Sequence, residues 1–242
     1  MNFREATSVD RDAILDLRRA AFPKDDREKQ QRDFWEWEFV RGYAGPARIF
    51  VAEAEGKIVG HLAAIPQRYG ELRGALAVDA MTHPDFQRQK VFSRVASFTA
   101  ERLRDEFEIV TAFQIRDEVR GGMAAGGWVG AGELPVFLRP IIPIARRASD
   151  SIRPLRDEEI DSFLVSEKIR QKRTPDFLRW RYRENPHWRY GLDGFFDGDE
   201  LRAFLIHRPA FPYQFTFCIN KAKMCLIQTC ARILLNQIVH HL

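Results

Sequence analysis

The 242-residue chain predicts an α/β fold of the α+β kind, with helices packed on a mixed sheet. Three observations predict it. Amphipathic segments alternate with short apolar runs in the order β-α-α-β-β-β-α-β-α-β from Phe3 to Pro140. Within that order, Leu76 to Phe98 reads as a strand, a Pro-Asp turn and a helix that opens on polar and basic residues. Part of the pattern then recurs 143 residues further along the chain.

Each element has its own signal. Phe3 to Thr7 is a short strand, and Asp10 caps a helix whose apolar face is Ile14, Leu17, Ala21 and Phe22, stopped by Pro23. A charged loop leads to a second helix over Phe34 to Val40. Ile49 to Ala54 and Lys57 to Ile65 are strands joined at Glu55-Gly56, a hairpin signal. A third strand, Leu72 to Thr82, feeds a helix carrying Phe92, Ala96, Thr99 and Leu103 on one stripe, with Val95 and Phe98 beside it. Glu108 to Phe113 reads as a buried strand and Asp117 to Ala125 as a helix stopped by Gly126-Gly127. Ala131 to Arg139 reads as a last strand.

A helix N-terminus fed by a strand is suited to an anion. Its first turn leaves backbone N–H groups without partners and carries the positive end of the helix dipole. Arg88 and Lys90 add to that preference.

This segment resembles the acyl-CoA-binding motif of the GNAT superfamily of N-acetyltransferases, in which a central strand precedes an Arg/Gln-x-x-Gly-x-Gly/Ala turn and a helix. Gln87-Arg-Gln-Lys-Val-Phe92 occupies the turn. Val78 to Asp85 is similar to the family's strand-to-turn sequence, and Gly127-Trp128 with Leu134 to Pro140 is similar to its closing segment. The resemblance implies an acyl-CoA N-acyltransferase fold that binds acetyl-CoA as co-substrate. It implies that Ala80, Met81 and Thr82 line the pantetheine arm, and that Gln87, Arg88, Gln89, Lys90, Val91, Phe92 and Ser93 surround the pyrophosphate. Both glycine positions are filled, by Lys90 and Phe92. A lysine that keeps helical φ still offers its N–H there, and its side chain either swings clear of the phosphate or grips it.

The family's reaction is direct attack of an amine on the thioester, helped by a backbone N–H on the central strand. A base takes a proton from the ammonium, and an acid protonates the thiolate. On this chain Asp79 is the candidate base, with Glu53 behind it. The position of the usual Tyr acid holds Met123, which donates no proton, and the Asn that often precedes it falls near Arg116. His61 alternates with apolar residues, as a strand-face histidine does, and His83 before Pro84 shapes the corner.

Composition excludes more than it identifies. Hydrophobic residues make up 45% and charged residues 30%, ordinary for a folded domain, and the net charge of +4 is spread among nearly equal numbers of acids and bases. No basic reader motif points to nucleic acid. No apolar run points to a signal peptide or membrane span, so the cytoplasm is the default location. Three cysteines, Cys218, Cys225 and Cys230, sit near the C-terminus and form no disulfide framework. With His240 and His241 they fit no common zinc spacing, and no metal is expected.

The repeat divides the chain. Asp33-Phe-Trp-Glu-Trp-Glu-Phe39 aligns without gaps on Asp176-Phe-Leu-Arg-Trp-Arg-Tyr182, and Lys57 to Pro66 on Glu200 to Pro209. This implies a GNAT domain over residues 1–142 and a partial second one over 150–216. No second cofactor turn appears at 222–235, and the Cys-, Ile- and Leu-rich stretch 217–242 reads as an atypical tail, of the kind a truncated or frame-shifted gene produces. Its apolar side is a candidate dimer surface. Two functions remain open: N-acetyl transfer to a small-molecule or peptide amine, and a non-catalytic CoA-binding or protein-interaction module, which Met123, Lys90 and the incomplete second half favour.

Overall fold

Eight consecutive buried residues, Ile58 to Ile65, determine the architecture of the first part of the chain. A strand buried without alternation must be covered on both faces, so it lies mid-sheet between helices. The computed structural model describes residues 1–24, 27–113, 117–132, 138–139, 152–156, 159, 174–210, 213–220, 224–225 and 228–229. Their contacts form a first unit within residues 1–131 and a second within 132–235.

In the first unit, β1 (Asn2–Glu5), β2 (Arg48–Ala54), β3 (Lys57–Tyr69), β4 (Leu72–Thr82) and β5 (Ile109–Ala112) lie side by side in that order. The first four are antiparallel neighbours, and β5 joins β4 in parallel. α1 (Arg11–Ala21) packs on β3 and β4, while α3 (Val91–Leu103) packs on β2, β3 and β4 and carries α4 (Asp117–Ala125). Between them in sequence, α2 (Arg32–Trp35) runs into a π-turn at Glu36–Val40. Ala52, Val59, Leu62, Ala77, Val91, Val95, Ala96 and Met123 form one core cluster, and Phe50, Ala64, Ala75 and Leu103 a second. A Cβ at Gly60 would sit 2.8 Å from Val91 Cγ1, so only glycine lets the start of α3 approach the sheet this closely. The next residue, His61, points to the opposite face, where its ring meets Phe39 of the π-turn at 6.3 Å.

The second unit holds β6 (Leu138–Arg139), β7 (Ile152–Pro154), β8 (Gly191–Asp197), β9 (Glu200–Ala210), β10 (Tyr213–Asn220), β11 (Met224–Cys225) and β12 (Gln228–Thr229), in the sheet order β6-β12-β10-β9-β8-β7 with β11 on β10. α5 (Pro175–Leu178) runs into a π-turn at Arg179–Arg183, as α2 does in the first unit. The parallel is close at a spacing of 143 residues. The π-turn caps Arg41 N–H to Glu36 O and Glu184 N–H to Arg179 O correspond. So do the hairpin ends Ala54↔Lys57 and Asp197↔Glu200, and the bulges at Ala52/Glu53 and Phe195/Phe196.

Several expectations need correction. Asp10 does not cap α1 with its side chain; its carboxylate accepts from Thr7 N–H at 2.7 Å and from Arg4, closing the preceding 3-10 turn. The helix expected over Phe34 to Val40 widens to a π-turn after Trp35. β5 is only half-buried, with Ile109 37% exposed, because it lies at the edge of the sheet. Of the strand expected over Ala131 to Arg139, Ala131 and Gly132 are outside any strand, Leu138–Arg139 pairs in parallel with Gln228–Thr229, and 133–137 lie outside the described residues. β10 is a strand the sequence reading does not anticipate. Arg116, residues 133–137 and 140, Cys230, His240 and His241 lie outside the described residues. No helix among the described residues is long and apolar enough to cross a membrane.

Candidate active site

The site grows from the C-terminal end of β4. Pairing with β5 runs from Gly74↔Ile109 to Ala77↔Ala112, after which β4 continues alone on that side through Thr82 among the described residues. A bulge opens in the β3–β4 ladder at the same point, with the register shifting between His61 and Ala63. Asp79 within it has φ 52°. A non-glycine residue in that region is strained, and the surroundings must hold it there.

Two contacts hold it. The Arg18 guanidinium of α1 donates to the Asp79 carboxylate, with the two side chains 4% and 13% exposed. The Asp79 carbonyl accepts from His61 Nδ1 at 2.7 Å. Burial alone would raise the Asp79 carboxyl, but the charges of Arg18 and Lys29 outweigh it and hold the group well below the usual carboxylate range. Burial lowers His61, which is 1% exposed, so the ring is neutral. Because a carbonyl only accepts, Nδ1 carries the proton and Nε2 keeps its lone pair.

Past β4, His83 Nδ1 accepts from Asp85 N–H at 3.3 Å and caps the 3-10 turn Pro84–Phe86. Gln87, Arg88, Gln89 and Lys90 are exposed. Arg88 and Lys90 both have φ 61°. Lys90 does not take the helical φ open to a lysine there: it enters α3 in the left-handed conformation that a glycine would adopt freely, at a cost of about 1–2 kcal/mol for an L-residue. The lysine supports the same backbone path as a glycine, with its side chain in solvent. Val91 is buried against Gly60, and Phe92 covers Gly122 of α4, where a Cβ would fall 2.3 Å from Phe92 Cδ1. Val91 is thus withdrawn into the core and Phe92 is half-buried. Ser93 donates to Lys90 O at 3.1 Å. Ala80 and Thr82 are half-buried and Met81 is 4% exposed. A cleft of about 320 Å³ beside the turn is lined by Lys57, Val59, His83 and Gln89 among others.

Residues 2–116 match the profile of the Acetyltransferase (GNAT) domain. This part of the chain is a GNAT acetyltransferase domain. Solved structures resemble the chain as well. A conserved protein of unknown function from Enterococcus faecalis V583 superposes with a TM-score of 0.61 at 10% identity, covering 88% of this chain and 56% of its own. A GNAT acetyltransferase from Brucella melitensis in complex with acetyl-CoA gives 0.42 at 16% identity, covering 50% of this chain and 79% of that one. An aminoglycoside acetyltransferase from an uncultured soil metagenomic sample, in complex with sisomicin, gives 0.43 at 19%, covering 56% and 93%. No similar sequence is found among curated proteins.

Within the GNAT domain, the two carboxylates singled out from the sequence are not brought together. Asp79 is committed to Arg18, while Glu53 on β2 accepts from Arg4 at 2.6 Å, a hydrogen bond that lowers its carboxyl. A carboxylate bonded to a guanidinium is a weak proton acceptor. Met123 is 2% exposed in the core against α3. Arg18, which the sequence reading passed over, and His61, which it read as a strand-face histidine, organise the bulge instead. Arg18 had a signal: an arginine one turn after Ile14, on the buried side of α1.

Proposed function

We propose that the GNAT domain transfers an acetyl group from acetyl-CoA to the amine of a small molecule or peptide. The observation that carries this reading is the juxtaposition of a strand that leaves its parallel neighbour after Ala77 with an exposed turn that enters a 13-residue helix. The edge of β4 at Ala80, Met81 and Thr82, unpaired on the β5 side among the described residues, suits an extended pantetheine arm. The turn from Gln87 to Ser93 suits the pyrophosphate, since Gln87 to Lys90 are exposed and the turn leads into the N-terminus of α3. Arg88 and Lys90 add positive charge there.

In this scheme Asp79 holds the bulge and does not move the proton. Ammonium and thiolate exchange protons with solvent at the open edge of β4, consistent with carboxylates at 53 and 79 that are held ionised by arginines. Residues 150–216, within the second unit, are read as a partial copy of the first unit, supported by the shared hairpin register and π-turn. Calorimetric titration of the full chain with acetyl-CoA and with CoA tests the reading, followed by thiol release across a panel of amines. Binding of both, with thiol release only when an amine is present, is expected. A folded protein that binds neither ligand overturns it.

A further inference from the structure

We propose that His61 is a positioning residue for acyl transfer: its hydrogen bond to the Asp79 carbonyl aims the Ala80 N–H at the carbonyl oxygen under attack. The inference rests on the acetyltransferase reading above.

The geometry is local. His61 belongs to β3, on one side of β4, and its Nδ1–H donates to Asp79 O at 2.7 Å. The peptide that follows, Asp79 to Ala80, is planar and trans, so its N–H points opposite to its C=O. The Ala80 N–H is thereby directed away from β3. The other side of β4 is where pairing with β5 ends at Ala77↔Ala112 among the described residues. Asp79 at φ 52° is the residue that rotates this peptide out of the regular ladder, and Arg18 pins its side chain at the same time. A carbonyl that accepts a hydrogen bond also polarises its own peptide, which makes the N–H a stronger donor.

The second unit provides an independent argument. Counted through the shared hairpin register, the position of His61 is taken there by Phe204, which is 1% exposed. An aromatic ring thus satisfies this place in the hairpin with no imidazole. The histidine is the costlier choice for folding, because its Nε2 is fully enclosed with no hydrogen-bond partner among the described residues. Its N–H to Asp79 O is the interaction a phenylalanine cannot make.

The step balances without another reagent. The amine lone pair forms the C–N bond, and the carbonyl π pair moves onto the oxygen that accepts from Ala80 N–H. Collapse of the intermediate breaks the C–S bond and releases the thiolate, and the ammonium proton passes to solvent. Aiming a single backbone donor matters here because a lost oxyanion donor costs an enzyme about a hundredfold or more in kcat.

The test compares wild type, His61→Phe and His61→Gln in the full chain. For His61→Phe, a Tm equal to or above that of wild type is expected, with KM for acetyl-CoA within about twofold and kcat lower by about tenfold or more, since the donor is misaimed and not removed. His61→Gln, whose amide can donate to Asp79 O, recovers part of the loss. In ¹⁵N-labelled protein without substrate, the Ala80 amide proton of His61→Phe moves upfield. Full kcat in His61→Phe, an unmoved Ala80 amide, or failure of His61→Phe to fold overturns the inference. Absence of turnover in wild type overturns the acetyltransferase reading instead, and the Ala80 amide still judges this one.

Discussion

At a spacing of 143 residues, the β2–β3 and β8–β9 hairpins place the same bulge and the same closing pair, yet their polar chemistry differs. The first has His61 and Glu53 where the second has Phe204 and Phe196. The strand paired beside each hairpin, β1 or β7, carries an arginine tied by two hydrogen bonds to an acid six residues on: Arg4 to Asp10, and Arg153 to Glu159. In the first unit that arginine also reaches Glu53, whereas in the second its guanidinium lies 3.8 Å over the Phe196 ring. The register is therefore compatible with either set of side chains. Among the described residues, the first hairpin carries a buried imidazole where the second has a phenylalanine, and the buried Arg18–Asp79 pair and the strained bulge of β4 lie beside that imidazole; the shared register forms in β8–β9 without it.

Three changes act on that contrast. The largest effect is expected from Arg18→Met, which leaves the Asp79 carboxylate buried without its guanidinium. A loss of about 3–5 kcal/mol in urea unfolding is expected, because a stranded buried charge costs far more than a broken surface pair. A loss under about 1 kcal/mol would mean that the Arg18–Asp79 pair is solvated in the manner of a surface pair.

A smaller effect should appear with pH. Burial holds the folded His61 below its ordinary pKa, so the unfolded chain binds the proton more readily. Stability from the neutral ring is then complete above the unfolded value of about 6.5 and declines as pH falls below it. Asp79, also lowered in the fold, contributes its own loss only below about pH 4. The urea midpoint of wild type should fall between about pH 6.5 and 5, and His61→Phe should flatten that slope. An unchanged slope would locate the titration elsewhere.

The smallest effect belongs to Glu53→Phe, which gives the first hairpin the aromatic of the second. With Arg4 and Glu53 side chains about a third exposed, the exchange of ion pair for cation–π contact should stay within about 1 kcal/mol. The clearer sign is in Tm against sodium chloride, where the variant should lose part of the wild-type dependence.

How much of this was legible in the sequence depended on punctuation. β4 and α4 have the bounds expected for them, Leu72 to Thr82 and Asp117 to Ala125, because His83-Pro84 ends one and Gly126-Gly127 the other. The π-turn was hidden, since one extra residue per turn leaves the composition unchanged while shifting which aromatics face inward. The left-handed backbone at Arg88 and Lys90 was hidden for the opposite reason: long basic side chains give no local sign of positive φ. Phe92 at a glycine position made sense only beside Gly122, 30 residues away, and Asp79 only beside Arg18, 61 residues away. Contacts of that range follow from topology, which a local pattern does not encode.

The turn before α3 has one more consequence. Glycines at 88 and 90 would leave the unfolded chain freer and the folded turn more pliable, so that an arriving anion would have to order it. Arginine and lysine move that ordering into the folding reaction: the strain is met once, as the chain folds, and the loop stands in shape beforehand. Under the proposed function, a stiff turn of this kind trades some thermal stability for a smaller entropy loss on each encounter with the pyrophosphate.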